Sequence, residues 1–294
     1  VMKFLSYLLS GISLGSIYAI IALGYTMVYG IAKMLNFAHG DIIMVGGYVA
    51  FTAMTALNLP ASAAVLLSVL FCTALGVIIE AVAYKPLRGA NSLAVLITAI
   101  GVSYLLQNLA LLIFGANPKS FQSVVPIKSM SFAEGQLVIS GETVAAIAVC
   151  FLIMVLLTGF INKTRAGQAM LAVAEDRGAA TLMGINVNAT VALTFAIGSA
   201  LAAVAGVLLC SAYPTLTPTT GAMPGIKAFV AAVLGGIGSI PGALIGGLLL
   251  GVLENLSKAY ISSKLSDAIV FSVLILVLVV RPTGILGKKM REKV

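Results

Sequence analysis

The chain has 294 residues, of which 61% are hydrophobic and 9% are charged. Soluble domains contain roughly 45–50% apolar and about 25% charged residues, so this composition predicts a protein whose solvent is mostly lipid. It excludes an ordinary soluble enzyme, a nucleic-acid-binding module and a disordered protein. The formal net charge is +8. The Lys and Arg residues that carry it lie between apolar runs, as in the cytoplasmic loops of membrane proteins. This distribution therefore indicates membrane lipid, and no nucleic acid, as a partner.

The apolar segments predict the fold class. A helix needs about 20 mostly apolar residues to cross the hydrocarbon core of a bilayer, and about eight segments approach this length. The alternating pattern of a membrane β-barrel is absent. We predict an all-α fold, a polytopic transmembrane helical bundle that forms a single domain over 1–294. The predicted segments are 4–29, 41–57, 61–84, 92–114, 143–162, 189–213, 226–256 and 267–281.

Basic residues predict the orientation of these segments. Most Lys and Arg residues fall in 85–91, in 163–188 and from Arg281 onward, and the last group includes four that follow Gly287. The positive-inside rule places all three regions in the cytoplasm. The first segment then starts outside, and 30–40 forms an inner turn.

The same orientation makes 226–256 start and end outside the membrane. At 1.5 Å per residue this run is too short for two full spans, so we predict a hairpin of two partial helices. The break is expected at Gly235, Gly236, Gly238, Pro241 and Gly242. Non-helical backbone at this depth must be buried in protein or line an aqueous path.

Glycine pairs predict close helix crossings. The pairs Gly11/Gly15, Gly242/Gly246 and Gly247/Gly251 each have the spacing that lets two helix backbones approach. Packing within one bundle is the simpler interpretation, and contact with a second membrane subunit is the alternative.

Polar residues within the apolar segments are few. Asp41 is expected either to pair with His39 or to cap the helix that starts there, within a turn. A position of these two residues on a gating or substrate path is the alternative. Glu80 is expected to reach the interface beside Lys85 or Arg88.

Two further charged residues, Lys227 and Glu254, are interpreted as interfacial anchors near the outer ends of the hairpin. The cysteines, Cys72, Cys150 and Cys210, are expected to be small buried hydrophobic residues. No spacing indicates a metal site or a catalytic group, and no phosphate loop is present, so we expect no bound metal, no enzyme activity and no ATP site in this chain.

The loop 163–188 is the most informative segment. We predict a helix over 169–183 that Gly184 closes, with Met170, Val173 and Ala174 on one face. This helix is too short and too charged to span a bilayer. It fits a docking element on the cytoplasmic side or a linker helix that lies on the membrane surface.

Four stretches of the sequence carry a family resemblance. The stretch from Ala174 to Asn186 resembles the coupling loop of ABC importer permeases, and more closely that of LivH-type permease subunits of the branched-chain amino acid importer family. The other stretches similar to that family are 24–40, 231–242 and 282–287. The resemblance covers nearly the whole chain in the family's order.

The resemblance implies a permease in the bacterial inner membrane that moves leucine, isoleucine or valine by alternating access. It implies a homologous second permease subunit, two cytoplasmic ABC ATPase subunits that hold ATP and Mg²⁺, and a periplasmic amino-acid-binding protein. This chain itself would bind no cofactor. The implied ATPase-coupling residues are Ala174, Glu175, Asp176, Arg177, Ala179, Leu182, Met183 and Gly184.

The translocation path is expected to be mostly apolar, with backbone groups at the glycine-rich break that face the zwitterionic end of the substrate. The candidate path residues are Asn36, His39, Gly235, Gly236, Gly238 and Pro241. Related importers for urea or short amides offer a different substrate. An ion-driven secondary amino-acid carrier or channel built on the hairpin is the alternative function.

Overall fold

The computed structural model describes residues 2–132 and 137–287, which are mainly helical. The helices are α1 Met2–Ala32, α2 His39–Thr55, α3 Ala61–Ile79, α4 Ser92–Phe114, α5 Gly141–Lys163, α6 Arg165–Glu175, α7 Arg177–Leu182, α8 Val187–Ala212, α9 Ala222–Gly235, α10 Ile240–Tyr260 and α11 Ser266–Val280. A π-helical turn, Glu80–Tyr84, and a 3₁₀ turn, Lys85–Leu87, extend α3.

Six helices within the described residues are long and apolar enough to cross a membrane, which confirms a helical membrane protein. They are α1, α3 with its extension, α4, α5, α8 and α10. The helices α9 and α11 are apolar but shorter, at 14 and 15 residues. The expected count of about eight spanning segments therefore exceeds the number of full-length helices.

The core of the bundle is the antiparallel crossing of α1 and α10. A Cβ atom on Gly11 or Gly15 would meet the backbone of α10, and one on Gly247 or Gly251 would meet the backbone of α1. These glycines let the two backbones touch, which maximises dispersion contact between helices in lipid. The pairs Gly11/Gly15 and Gly247/Gly251 thus pack within one chain, which confirms the simpler interpretation.

The third glycine pair, Gly242 and Gly246, packs α10 against α9. Gly242 lies against the backbone of Gly235, and Gly246 lies against the backbone of Ala231. The helices α9 and α10 form the predicted hairpin, and Ser239 caps α10 by accepting a hydrogen bond of 3.2 Å from the Gly242 amide.

The expectation of two partial helices in this hairpin is wrong for one of them. The helix α10 has 21 residues and is long enough for a full span, whereas α9 is a partial helix of 14 residues. The hairpin begins before residue 226 and continues past 256, because α9 starts at Ala222 and α10 ends at Tyr260. The apolar run in the sequence is therefore shorter than the hairpin that it predicts.

The C-terminal segment 281–287 closes the break between α9 and α10. The Ile285 amide donates to the Leu234 carbonyl at 2.9 Å, and the Leu286 amide donates to the Gly235 carbonyl at 3.0 Å. These bonds satisfy carbonyls that the end of α9 leaves without helical partners. Gly236 has φ +103° and lies against Gly287, where a side chain would have no room.

Contacts among the loops bring segments that were predicted to share one side of the membrane to the same end of the bundle. We name the two ends inner and outer after the predicted orientation. At the inner end, Arg177 donates to the Ala32 carbonyl, and Gly30 faces Gly238. At the outer end, Asn255 donates to the Tyr7 carbonyl at 2.6 Å. The basic residues Lys288, Lys289, Arg291 and Lys293, which contributed to the predicted orientation, lie outside the described residues.

Two short antiparallel strand pairs, which the sequence analysis did not anticipate, lie between the helices. They consist of β1 Lys119–Ser120 with β4 Thr215–Leu216, and β2 Met130–Phe132 with β3 Leu137–Ile139. The first pair ties the loop after α4 to the loop after α8 at the outer end.

The close crossing of α1 and α10 predicts that one added methyl group lowers the stability of the protein at Gly251 but not at Gly101. We expect Gly251→Ala to lower the free energy of unfolding by about 1–3 kcal/mol through overpacking. The control is Gly101→Ala on α4, where a Cβ meets nothing within 4 Å and the helix should gain about 0.5–1 kcal/mol. Thermal unfolding in detergent is measured with a thiol-reactive dye, because Cys72, Cys150 and Cys210 are all buried and free. Equal stability of the two variants would contradict the crossing.

Candidate functional site

The segment predicted to be a coupling loop forms two short helices, α6 and α7, which we call the coupling unit. Thr164 begins α6 by accepting a hydrogen bond of 3.0 Å from the Gly167 amide. Asp176 then leaves the helix with φ −155° and ψ 113°, and its Oδ1 accepts a bond of 3.0 Å from the Ala179 amide. An aspartate in this position is a strong N-cap, so it ends one helix and starts the next. The expectation of one continuous helix over 169–183 is therefore wrong.

The glycine that was expected to end this segment does so. Gly184 has φ +81°, its amide donates to the Thr181 carbonyl, and the Ile185 amide donates to the Ala180 carbonyl, both at 3.0 Å. This pattern satisfies the last carbonyls of α7 and requires a left-handed residue, which favours glycine.

The coupling unit has one buried face and one exposed tip. Met170, Val173 and Ala180 are buried, and α6 packs on α5, α1 and α8. Leu182 and Met183 are 90% and 81% exposed at the end of α7. Of the other residues expected to couple, Ala174 and Arg177 are half-buried, while Glu175, Asp176, Ala179 and Gly184 are exposed.

Two arginine side chains form bonds at this end of the bundle, one from the coupling unit and one from the turn after α3. Arg177 donates to the Ala32 carbonyl at the end of α1. Arg88 pairs with Glu80 and also donates to Asn188 at the start of α8. Arg88 was one of the two predicted partners, but Glu80 is only 2% exposed, so the expectation that it reaches the membrane interface is wrong. Burial, and then the charge of Arg88, lower the pKa of Arg177 from its ordinary value, although an arginine stays protonated at neutral pH. The positive charge of Arg177 therefore lies where α1 carries its negative dipole end.

A narrow crevice at the inner end is lined by one of the candidate path residues, Asn36, whereas the other candidates lie outside its lining. It is lined by Asn36 of the inner turn, by Ile237 of the break and by aromatic residues that include Tyr25 and Phe229. The Oδ1 atom of buried Asn36 accepts a hydrogen bond of 2.9 Å from the Tyr84 hydroxyl.

His39 and Asp41 have separate surroundings. His39 is 1% exposed, and its ring packs at 4.6 Å against the ring of Tyr25, a residue that lines the crevice. Asp41 accepts a bond of 2.9 Å from the Gln107 side chain. Ala38 occupies the N-cap position of α2, so the interpretation of His39 and Asp41 as a capping pair is wrong.

The break residues have different roles in the fold. Gly235 packs on α10, and Gly236 packs on the C-terminal segment. Gly238 has φ +92°, and a Cβ there would meet nothing within 4 Å. Pro241 lies exposed in the first turn of α10, where a proline needs no backbone donor.

A family model described as "Branched-chain amino acid transport system / permease component" matches residues 7–278. The chain belongs to this family. It is 48% identical to the high-affinity branched-chain amino acid transport system permease protein BraD of Pseudomonas aeruginosa, over 99% of this chain and 98% of BraD. It is also 48% identical to LivH of Escherichia coli K12, with the same coverage. A probable LivH of Methanocaldococcus jannaschii is 31% identical over 91% of this chain and 88% of that protein.

The chain is thus a multi-pass permease component of the bacterial inner membrane, and such components are not themselves catalytic. The family model covers the coupling unit, the crevice and the hairpin within a single match. The inner-end geometry described above therefore belongs to a transport permease.

The permease also contains a charged cluster that the sequence analysis missed, formed by Tyr18, Lys227, Glu254, Lys258 and Asp267. Lys227 bonds to Glu254 at 2.8 Å and to Asp267 at 2.7 Å, while Lys258 bonds to Glu254 at 2.6 Å. The Tyr18 hydroxyl donates to the other Glu254 oxygen at 2.9 Å.

The interpretation of Lys227 and Glu254 as interfacial anchors is wrong, because these residues are only 6% and 1% exposed. A buried carboxylate requires such partners. The spacing of Glu254 and Lys258, one helical turn apart, was the only available signal in the sequence.

The link between Arg177 and Ala32 predicts how the permease transmits movement. Arg177→Met removes a charge-assisted hydrogen bond of about 1.5–3 kcal/mol, so amides of the coupling unit should exchange hydrogen at least about tenfold faster. Arg165→Met, at the exposed start of α6, is the control and should leave exchange unchanged. Hydrogen–deuterium exchange with mass spectrometry measures both. Unchanged exchange in Arg177→Met would show that the arginine does not hold the coupling unit on α1.

Proposed function

We propose that this chain is the transmembrane permease subunit of an ATP-driven importer that moves leucine, isoleucine, valine or similar hydrophobic amino acids across the inner membrane by alternating access. The names of the 48%-identical relatives support the substrate class. The observation that carries the proposal is the coupling unit, which presents an exposed apolar tip at the predicted cytoplasmic end.

Two cytoplasmic ABC ATPase subunits dock on the permease pair through these tips. Leu182 and Met183 are exposed at 90% and 81% on a segment too polar to lie in lipid, and exposed apolar side chains of this kind are typical of a protein interface. The sequence has no phosphate loop, so ATP and Mg²⁺ belong to the ATPases, and this chain binds no cofactor.

Movement passes from the coupling unit into α1 and α10. Arg177 ties α7 to the inner end of α1, and glycines join α1 to α10 along their crossing. The hairpin turn of α9 and α10 faces Gly30 of α1 at the same end. ATP-driven approach of the two ATPases therefore displaces the helices that surround the inner crevice.

The path lies between this chain and a homologous second permease, and a periplasmic binding protein delivers the amino acid. Within this chain the path involves Asn36 and the break, with His39 acting through Tyr25. The membrane domain covers 1–294, with the coupling loop 163–188. The shorter helices α2, α9 and α11 join the six full-length helices, and α9 and α10 together form one of the eight predicted segments. Exposed apolar faces on α4 and α5, such as those of Leu112 and Leu156, offer surface to lipid and to the second permease.

The exposed tip predicts a selective loss of coupling. The double variant Leu182→Glu/Met183→Glu should reduce leucine uptake by membrane vesicles at least tenfold, because two carboxylates replace the apolar contact with the ATPase. The control Leu265→Glu changes a leucine of 54% exposure at the outer end and should retain uptake. Both proteins must reach the membrane in equal amounts, as judged by immunoblot. Normal uptake in the double variant would refute docking through the tip.

The energy source separates the proposed importer from an ion-driven carrier. Leucine uptake by cells that express the complete system should fall when ATP is depleted and should persist when an ionophore collapses the ion gradients while ATP is maintained. Excess isoleucine and valine should compete, whereas urea should not. Uptake that follows the ion gradient and ignores ATP would favour the secondary carrier.

A further inference from the structure

The charged cluster opens onto a cleft at the outer half of the membrane. The cleft has a volume of about 210 Å³ and lies among α1, α8, α9 and α10. Tyr18, which lies at its wall, is about 21 Å along α1 from Ala32 at 1.5 Å per residue. The cleft is therefore remote from the coupling unit, and it is separate from the inner crevice, whose lining residue Tyr25 lies about 10 Å further along α1.

The walls of the cleft combine two kinds of surface. Leu14, Leu209 and Pro224 provide an apolar side, while Glu254 and Lys258 provide one charge of each sign. Hydroxyl groups of Thr215 and Thr220 also line it. A concave site with an apolar wall and a few convergent polar groups is typical of small-molecule binding.

Lys258 differs from the other charged members of the cluster that line the cleft. Its side chain is 40% exposed, whereas that of Glu254 is 1% exposed. Within the described part of the chain, its ammonium group hydrogen-bonds to Glu254 alone. Glu254 keeps two further donors, Lys227 and Tyr18, when Lys258 moves away. Lys258 is therefore the exposed cation of the cluster, and it can move away while Glu254 keeps two hydrogen-bond donors.

We propose that this outer cleft binds the zwitterionic head of an aliphatic amino acid by exchange of the Lys258–Glu254 ion pair. The α-carboxylate of the ligand pairs with the Lys258 ammonium group. The α-ammonium group of the ligand pairs with Glu254, at the position that Lys258 leaves. The number of charge pairs is conserved, and the aliphatic side chain lies on the apolar wall. This inference rests on the proposed function and places a receiving site on the outer side of the permease.

The exchange explains why the cluster has a fourth charge. Lys227 and Tyr18 keep a hydrogen bond on each Glu254 oxygen, but Lys227 also pairs with Asp267. The two carboxylates therefore need a second cation, which Lys258 supplies in the free protein and the ligand ammonium group supplies after the exchange. A ligand that offers both charges at once replaces the pair on equal terms, whereas a ligand with only one charge leaves one partner unpaired.

The test uses the complete importer in lipid nanodiscs without its binding protein, and a leucine analogue with a photoreactive diazirine in its side chain. After illumination, mass spectrometry should find the label on peptides that line the outer cleft. Excess leucine should suppress this label. Leucinamide, which lacks the carboxylate, should need at least tenfold more for the same suppression.

Lys258→Ala should remove the difference between leucine and leucinamide, and Lys258→Arg, which keeps the cation, should restore it. The control Lys264→Ala removes a lysine from the exposed loop between α10 and α11 and should retain the full difference. A thermal unfolding midpoint within a few degrees of the parent protein shows that each variant is folded. A merely structural lysine would alter stability without altering this discrimination.

Label that appears only outside the cleft, or equal discrimination in Lys258→Ala and Lys264→Ala, would overturn the proposed site. ATP-dependent leucine uptake by the same preparation with its binding protein would then leave the proposed function intact. Absence of such uptake in the parent protein would instead refute the proposed function, on which the inference depends.

Discussion

The close crossing of α1 and α10 is the constraint on which the other features of this permease depend. In lipid, helices gain little by hiding apolar side chains, so stable association needs backbones that approach closely. Glycines on both helices, Gly11 and Gly15 against Gly247 and Gly251, provide that approach. The same helix pair reaches the coupling unit at its inner end, through Ala32, and the charged cluster at its outer half, through Tyr18 and Glu254. A displacement at either end therefore acts on one connected element.

The second constraint is that backbone polar groups within the membrane must find partners. The break between α9 and α10 would expose the last carbonyls of α9, and the amides of Ile285 and Leu286 satisfy two of them. Gly236 and Gly284, both with positive φ, allow these two segments to touch. The C-terminal segment is thus part of the inner end of the bundle, close to the crevice that Asn36 and Ile237 line.

Much of the architecture could be predicted from the sequence, because it follows from length, charge and glycine spacing. The spanning segments, the break at 235–242 and the choice of Arg88 as a partner of Glu80 depend on local or periodic signals. The burial of Glu80 depends on helix packing and was not predicted. The kink at Asp176 was missed because an N-cap inside an apolar pattern resembles a surface charge. The charged cluster was missed because it joins α1, α9, α10 and α11, and nothing local shows that Lys227 and Glu254 face each other. The ends of α9 were missed because Ala222 lies in a run of small and polar residues that has no apolar periodicity.

The central claim is that this permease works in a complex whose energy source lies in other chains. Purification of the chain from its native membrane in a gentle detergent, followed by mass spectrometry of the proteins that accompany it, tests this claim most directly. The account predicts a second polytopic permease and ATPases that carry the phosphate loop which this sequence lacks. Recovery of the chain alone, together with ion-driven leucine uptake after reconstitution, would contradict it.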